Sequence, residues 1–489
     1  MHRALLIEEI QLCIFNQVSE RCTLAALART CQTFAEAALD VLWCDLHSFT
    51  NSIRCMPHDL WSIETRENPL FRDFSASGLV RQYMKESTLK LHRSISASDW
   101  AIFQKYSRRV RFTSVQGVKL DDACIFALCS PSAPTPLLPN LKSLWWHVGS
   151  NAHFLILPRL FSPALISLHL RFFSDRRQSQ TPESPSQISF ENCPSLKHLV
   201  VRDDLRQTPA NVSDGLKQSV SRLQSLETII WDTLESATIM SLARLPALIG
   251  ATFNLHSNFS TYIQTLPSRS PMLQPAFSRV RTLDITGYNL ASVTAFVDYF
   301  DVCLENLKLV VKSPAESLSS VTMFQRLSTA LGSSSSRDTL RNLTIRHQHT
   351  DGLHDLHPLP GTCEIGPLLQ FHRLESLILD LRCPFIFNDA TLLAISDTWP
   401  NISTLLINRD GPWLSSAYTT PSGLIKLLER CPKLENLSLP VDFSSIDCEC
   451  LDFAAHTTLD ADSVLARLRN LDLGPFSITS SKGARSWKI

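Results

Sequence analysis

Glycine is scarce in this sequence, at 14 of 489 residues, against a usual share of about 7%. No two glycines stand as G-x-G, which excludes the turns that cradle phosphates in dinucleotide and P-loop folds. Net charge is also missing: 46 Lys and Arg balance 46 Asp and Glu. A neutral chain lacks the basic footprint of a nucleic-acid or membrane-surface binder, so neither partner is expected. No apolar run approaches the ~18 residues of a membrane span. Glu8 and Glu9 break the opening MHRALLIEEIQLCIF before it can read as a secretion signal. Fourteen cysteines include no C-x-x-C, and the lone C-x-C of Cys448 and Cys450 is too short for a zinc site. Reduced thiols serving as small apolar fillers are expected, in the cytoplasm or the nucleus. Nucleophile-elbow, zinc-protease, Walker and kinase signatures are all lacking, so the chain reads as a non-enzyme with no cofactor. The densest polar cluster, His347, His349, His354 and His357 with Asp351 and Asp355, reads as a solvated loop rather than a metal site.

What is present is apolar and periodic. Hydrophobic residues make up 44% of the chain and charged residues 19%, enough for a large core and too apolar for disorder. Residues 5–46 carry three helical patterns with little chain between them. Ile7, Ile10, Ile14 and Val18 form one stripe, with Phe15 beside it. Leu24, Leu27, Ala28, Cys31 and Phe34 form a second, with Thr23 placed as its N-cap. Ala35, Ala38, Leu39, Leu42 and Leu46 form a third, beside Trp43. So short a bundle covers its own apolar side chains poorly, which predicts an apolar surface offered to another protein.

The run Leu6, Glu9-Ile10, Ile14-Phe15, Leu24, Leu27-Ala28, Thr30-Cys31, Phe34, Leu42-Trp43 and Leu46 resembles an F-box. It departs in having Ile7 where that family usually has proline. The resemblance implies docking on the Skp-type adaptor of a cullin–RING ubiquitin ligase, the rest of the chain selecting the substrate. The positions matching the family's adaptor contacts are Leu6, Ile10, Ile14, Phe15, Leu24, Leu27, Cys31 and Trp43.

Farther on, one pattern recurs, L-x-x-L-x-L. It runs from Leu141/Leu144/Trp146 and Leu165/Leu168/Leu170 to Leu434/Leu437/Leu439 and Leu468/Leu471/Leu473, with a weaker first unit at Val110/Thr113/Val115. The middle positions step from 144 to 471 at a mean of about 30 residues, slightly longer than a typical leucine-rich repeat. The pattern resembles that repeat and predicts an α/β solenoid, with parallel strands concave and helices convex. Proline before many strands, as at Pro139, Pro163 and Pro400, stops the preceding helix. Three segments are expected: an F-box-like helical module over 1–47, a helical connector over 48–105, and a solenoid of about 12–13 units over 106–489. Nothing after Leu473 reads as a closing helix or polar cap. Cys193-Pro-Ser-Leu and Cys431-Pro-Lys-Leu strengthen the likeness, and the whole resembles the F-box proteins abundant in mushroom-forming fungi.

Alternation within each x-L-x-L sends the leucines inward and the x residues to the concave face. Trp145, Val200, Ile230, Ile378 and Leu406 are then apolar where solvent is expected, and are candidate contacts for an unidentified target protein. The expected function is that of a substrate receptor in an SCF-type ligase. The alternative is a stand-alone interaction scaffold in which residues 5–46 merely cap the array.

Overall fold

A computed structural model describes residues 6–70, 82–114, 118–148, 152–172, 190–203, 218–265, 276–312, 320–332, 334–348, 363–381, 385–408, 419–442 and 467–473. His349, His354 and His357 lie outside these residues. The chain falls into two compact units, Met1–Asp232 and Thr233–Ile489.

The first unit opens with α1 (Glu8–Phe15), α2 (Arg21–Thr30) and α3 (Gln32–Cys44). Phe15, Leu24, Ala37 and Ala38 form their core, with Leu12, Val18, Leu27, Ala28, Phe34, Val41 and Leu42 packed around it. Phe15 meets Phe34 edge-on, ring centroids 5.5 Å apart. Two boundaries differ from the sequence reading. The stripe Leu24 to Phe34 is not one helix, because Cys31 is extended (φ −157°, ψ 161°) and divides α2 from α3. Thr23 is not the N-cap: α2 begins two residues earlier, and the Thr23 hydroxyl donates to Glu20 Oε2 at 3.1 Å. Arg21 sets that earlier start, its guanidinium donating to the carbonyls of Leu42 and Asp45 at 2.8 Å each.

The chain then forms β1 (Asp45–Leu46), a short helix at Thr50–Arg54, β2 (Trp61–Leu70) and β3 (Gln82–Leu91). After the helix Ala97–Ser107 come β4 (Phe112–Ser114) and β5 (Val118–Leu120). Strands β2 and β3 pair antiparallel and β5 adds parallel to β3, making a small separate sheet. The connector is therefore not helical throughout. Its hairpin alternates weakly in sequence, Trp61, Ile63, Thr65 on one strand and Ser87, Leu89, Leu91 on the other, with charges interleaved. The repeat array also starts earlier than residue 106, because β1 pairs parallel with β4, Leu46 opposite Thr113.

From β4 the first unit builds its repeats through β6 (Ser143–Val148), β7 (Ser167–Phe172), β8 (His198–Asp203) and β9 (Thr228–Leu234), each parallel to the last. The register sets Thr113, Leu144, Leu168, Leu199 and Ile229 in one row. The second unit does the same with β10 (Gly250–Leu255), β11 (Thr282–Gly287), β12 (Asn306–Val311) and β13 (Asn342–His347). It continues with β14 (Ser376–Asp380), β15 (Thr404–Ile407), β16 (Asn436–Ser438) and β17 (Asn470–Asp472). Ala251, Leu283, Leu307, Leu343, Leu377, Leu405, Leu437 and Leu471 stand opposite one another in turn. These are the middle positions of the sequence pattern, so each unit is a leucine-rich-repeat array with parallel strands. Nearly all are buried, because stacked repeats cover leucines that no single repeat can hide. Leu468, Leu471 and Leu473 are only half-buried.

Helices return the chain between strands in the second unit, including Leu290–Tyr299, Asp389–Thr398 and Pro421–Arg430. Phe253, Phe259, Phe277, Phe296 and Phe300 form an aromatic core there, with centroids 4.7 to 6.1 Å apart. At the head of many strands two successive N–H groups converge on one carbonyl of the preceding repeat. Ile166 and Ser167 both donate to Lys142, and Glu375 and Ser376 both donate to Arg341. The L-x-x-L half of the motif thus fixes the bend into each strand.

Ten described cysteines are free thiols. Burial pushes Cys124 and Cys193 up to about 12, so they are inert fillers. Cys363, fully buried, is disulfide-bonded, which corrects the expectation of thiols throughout. Pairing depends on how two Cα atoms approach, and scattered cysteines with no motif do not reveal it.

Candidate interaction surfaces

Four of the nine exposed large apolar side chains among the described residues sit at one end of the chain. They are Leu6, Ile7, Ile10 and Ile14, between 36% and 56% exposed. Ile10 and Ile14 stand one turn apart on one face of α1, while Leu6 and Ile7 precede the helix, Ile7 as its extended N-cap. The opposite face carries Phe15 into the bundle. Ile10 and Ile14 are left exposed because α1 and the residues before it carry more apolar surface than two short neighbours can cover.

The other positions matching the adaptor motif lie differently. Phe15 and Leu24 are buried in the bundle core, where they hold the helices and face no solvent. Leu27 is half-buried against that core. Cys31 is half-buried at the α2–α3 break, and the Thr33 hydroxyl 3.1 Å away holds its thiol below the usual range. Trp43 packs against Tyr106, centroids 4.6 Å apart and rings tilted by 31°, and so faces the following helix. Beside it the buried Arg109 guanidinium bonds the carboxylates of Glu36 and Asp40. The Arg109 hydrogen bond lowers the pKa of Glu36. Ile7 is the exposed residue that motif matching passes over, because it occupies the family's proline position.

The second surface is the outward face of the strands. In the first unit Trp145, His169, Val200 and Ile230 stand in register on β6, β7, β8 and β9. Trp146 is fully buried while Trp145 is 41% exposed. The Trp145 and His169 rings stack, 4.4 Å apart and 11° from parallel. Burial, with the nearby His198 and Arg202, pushes the His169 imidazole below its usual value. One step along the strands lie His147, Arg171, Arg202 and Asp232, and Arg202 donates to Asp232 at 2.9 Å. In the other direction His198 Nδ1 lies 2.8 Å from the Thr228 hydroxyl, and Lys197 pairs with Glu227 at 2.7 Å.

Ile378 and Leu406 belong to the second unit, where they face each other on β14 and β15. They are flanked in register by Thr344 and Ser438. The five apolar candidates are therefore divided between the two units. Three share a track in the first unit and two make a small pair in the second. His169 completes the first track, and the L-x-L register alone would have placed it beside Trp145. The second unit's face is otherwise a polar ladder. Asn306 donates to Thr282 at 3.2 Å, Asn436 to Thr404 at 3.2 Å, and Lys308 pairs with Asp284 at 2.6 Å.

Among the described residues no group of three or more His, Cys, Asp or Glu is placed to hold a metal ion. No described helix is long and apolar enough to cross a membrane.

No family model matches the sequence, and no curated protein matches it. Among solved structures the chain is similar to a leucine-rich-repeat protein of Leptospira interrogans. The identity is 12% and the TM-score 0.30, over 70% of this chain and 80% of that one. It is also similar to the leucine-rich-repeat ectodomain of the Arabidopsis receptor kinase HAESA, solved with a peptide hormone. That match has 14% identity and a TM-score of 0.19, over 68% of this chain and 62% of the other. Overlap this loose leaves the assignment to the strand register itself, and by that register the chain is an α/β leucine-rich-repeat protein with a helical N-terminal module.

Proposed function

We propose that this chain is the substrate-receptor subunit of a cullin–RING ubiquitin ligase. In this reading α1–α3 dock on a Skp-type adaptor, and the strand faces hold the target protein. The observation that carries the reading is the run of exposed apolar residues at the N-terminal end, Leu6, Ile7, Ile10 and Ile14, on a bundle whose own core is already closed. Its support is the resemblance of that bundle's sequence to an F-box. Covering four roughly half-exposed aliphatic side chains contributes about 1 kcal/mol each. The total of about 4 kcal/mol corresponds to only a millimolar complex, so the exposed parts of Leu27 and Cys31 would have to add to the interface. Phe15 and Leu24 would act by holding α1 in place. The chain would perform no bond chemistry. It would raise the effective concentration of target lysines near a ubiquitin thioester held elsewhere.

A specific observation favours the second reading, a scaffold without ligase attachment. The Trp43–Tyr106 contact and the buried Arg109 tie α3 to the chain that follows, as a solenoid cap would be tied. The two readings separate on the exposed run, which a cap does not use. Purified full-length chain is mixed with a Skp-type adaptor and binding is measured by calorimetry. Ile10→Asp with Ile14→Asp is expected to abolish binding and leave the melting temperature unchanged. No binding by the unaltered chain, or full binding by the double variant, overturns the receptor reading.

A further inference from the structure

We draw no further inference here: the strongest candidate, the outward row of Trp145, His169, Val200 and Ile230 across β6 to β9 of the first unit, is a partly apolar sheet face, and nothing in the structure shows what covers it.

Discussion

Thr113 occupies a position that the repeat pattern reserves for leucine. It stands opposite Leu46 on one side and Leu144 on the other. Its side chain is fully buried, and its hydroxyl has no hydrogen-bond partner. A buried hydroxyl without a partner costs about 1–3 kcal/mol by protein mutational data. Thr113→Val keeps the shape, removes the hydroxyl and adds a methyl group, itself contributing about 0.8 kcal/mol on burial. The expected gain is about 2–4 kcal/mol. For a unit of this size each kcal/mol raises the melting temperature by about 2–4 °C. Thr113→Ser keeps the hydroxyl, loses the methyl group and is expected to lower stability by about 1 kcal/mol. Scanning calorimetry of the full-length chain resolves the effect, which belongs to the transition of the first unit. A neutral or lowered melting temperature for Thr113→Val refutes the reasoning, because the hydroxyl would then be satisfied in solution, by an ordered water for example.

Two further outcomes test the packing and the charges. A Cβ on Gly423 would clash with Asp389 Oδ1, and that carboxylate is fixed by accepting from the Thr420 N–H and hydroxyl at 2.8 and 2.7 Å. Gly423→Ala is thus expected to cost about 1–3 kcal/mol despite the higher helix propensity of alanine. Added to Asp389→Ala, the same change is expected to cost nothing more, as a double-mutant cycle of melting curves would show. Arg93, bonding Asp99 at 2.6 Å, holds that carboxyl well below the usual carboxylate range, helped by Ser96. A depressed folded value means that the stabilisation is full above the unfolded value of about 3.9 and is lost as the pH falls below it. Asp99→Asn is therefore expected to lower the melting temperature more at pH 7 than at about pH 3, and a constant difference would count against the ion pair.

Much of the fold was legible because leucine spacing is a register. Once Leu144 and Leu168 are matched by motif, their opposition on neighbouring strands follows, and it is observed from Leu144 to Ile229 and from Ala251 to Leu471. The hairpin over Trp61–Leu91 was not legible, since its strands interleave charges and lack a repeat to be compared with. The start of the array at Asp45–Leu46 was hidden for a related reason. Only two residues pair there, and the partner strand lies beyond the hairpin. At the candidate surfaces the motif named side chains without saying which way they point. Ile10 and Ile14 face water, whereas Phe15 and Leu24 are interior.

Local sequence alone determined the periodicities: which residues alternate along a strand, which share a helix face, and which leucines recur. These are consequences of two residues per strand repeat and 3.6 per helical turn, and they need no distant neighbour. Tertiary structure decided what covers each face. Trp43 is taken by Tyr106, Arg109 by Glu36 and Asp40, and Trp145 by His169 only in part. Burial depends on residues tens of positions away in the chain, and one sequence read along its length does not say which of them arrive.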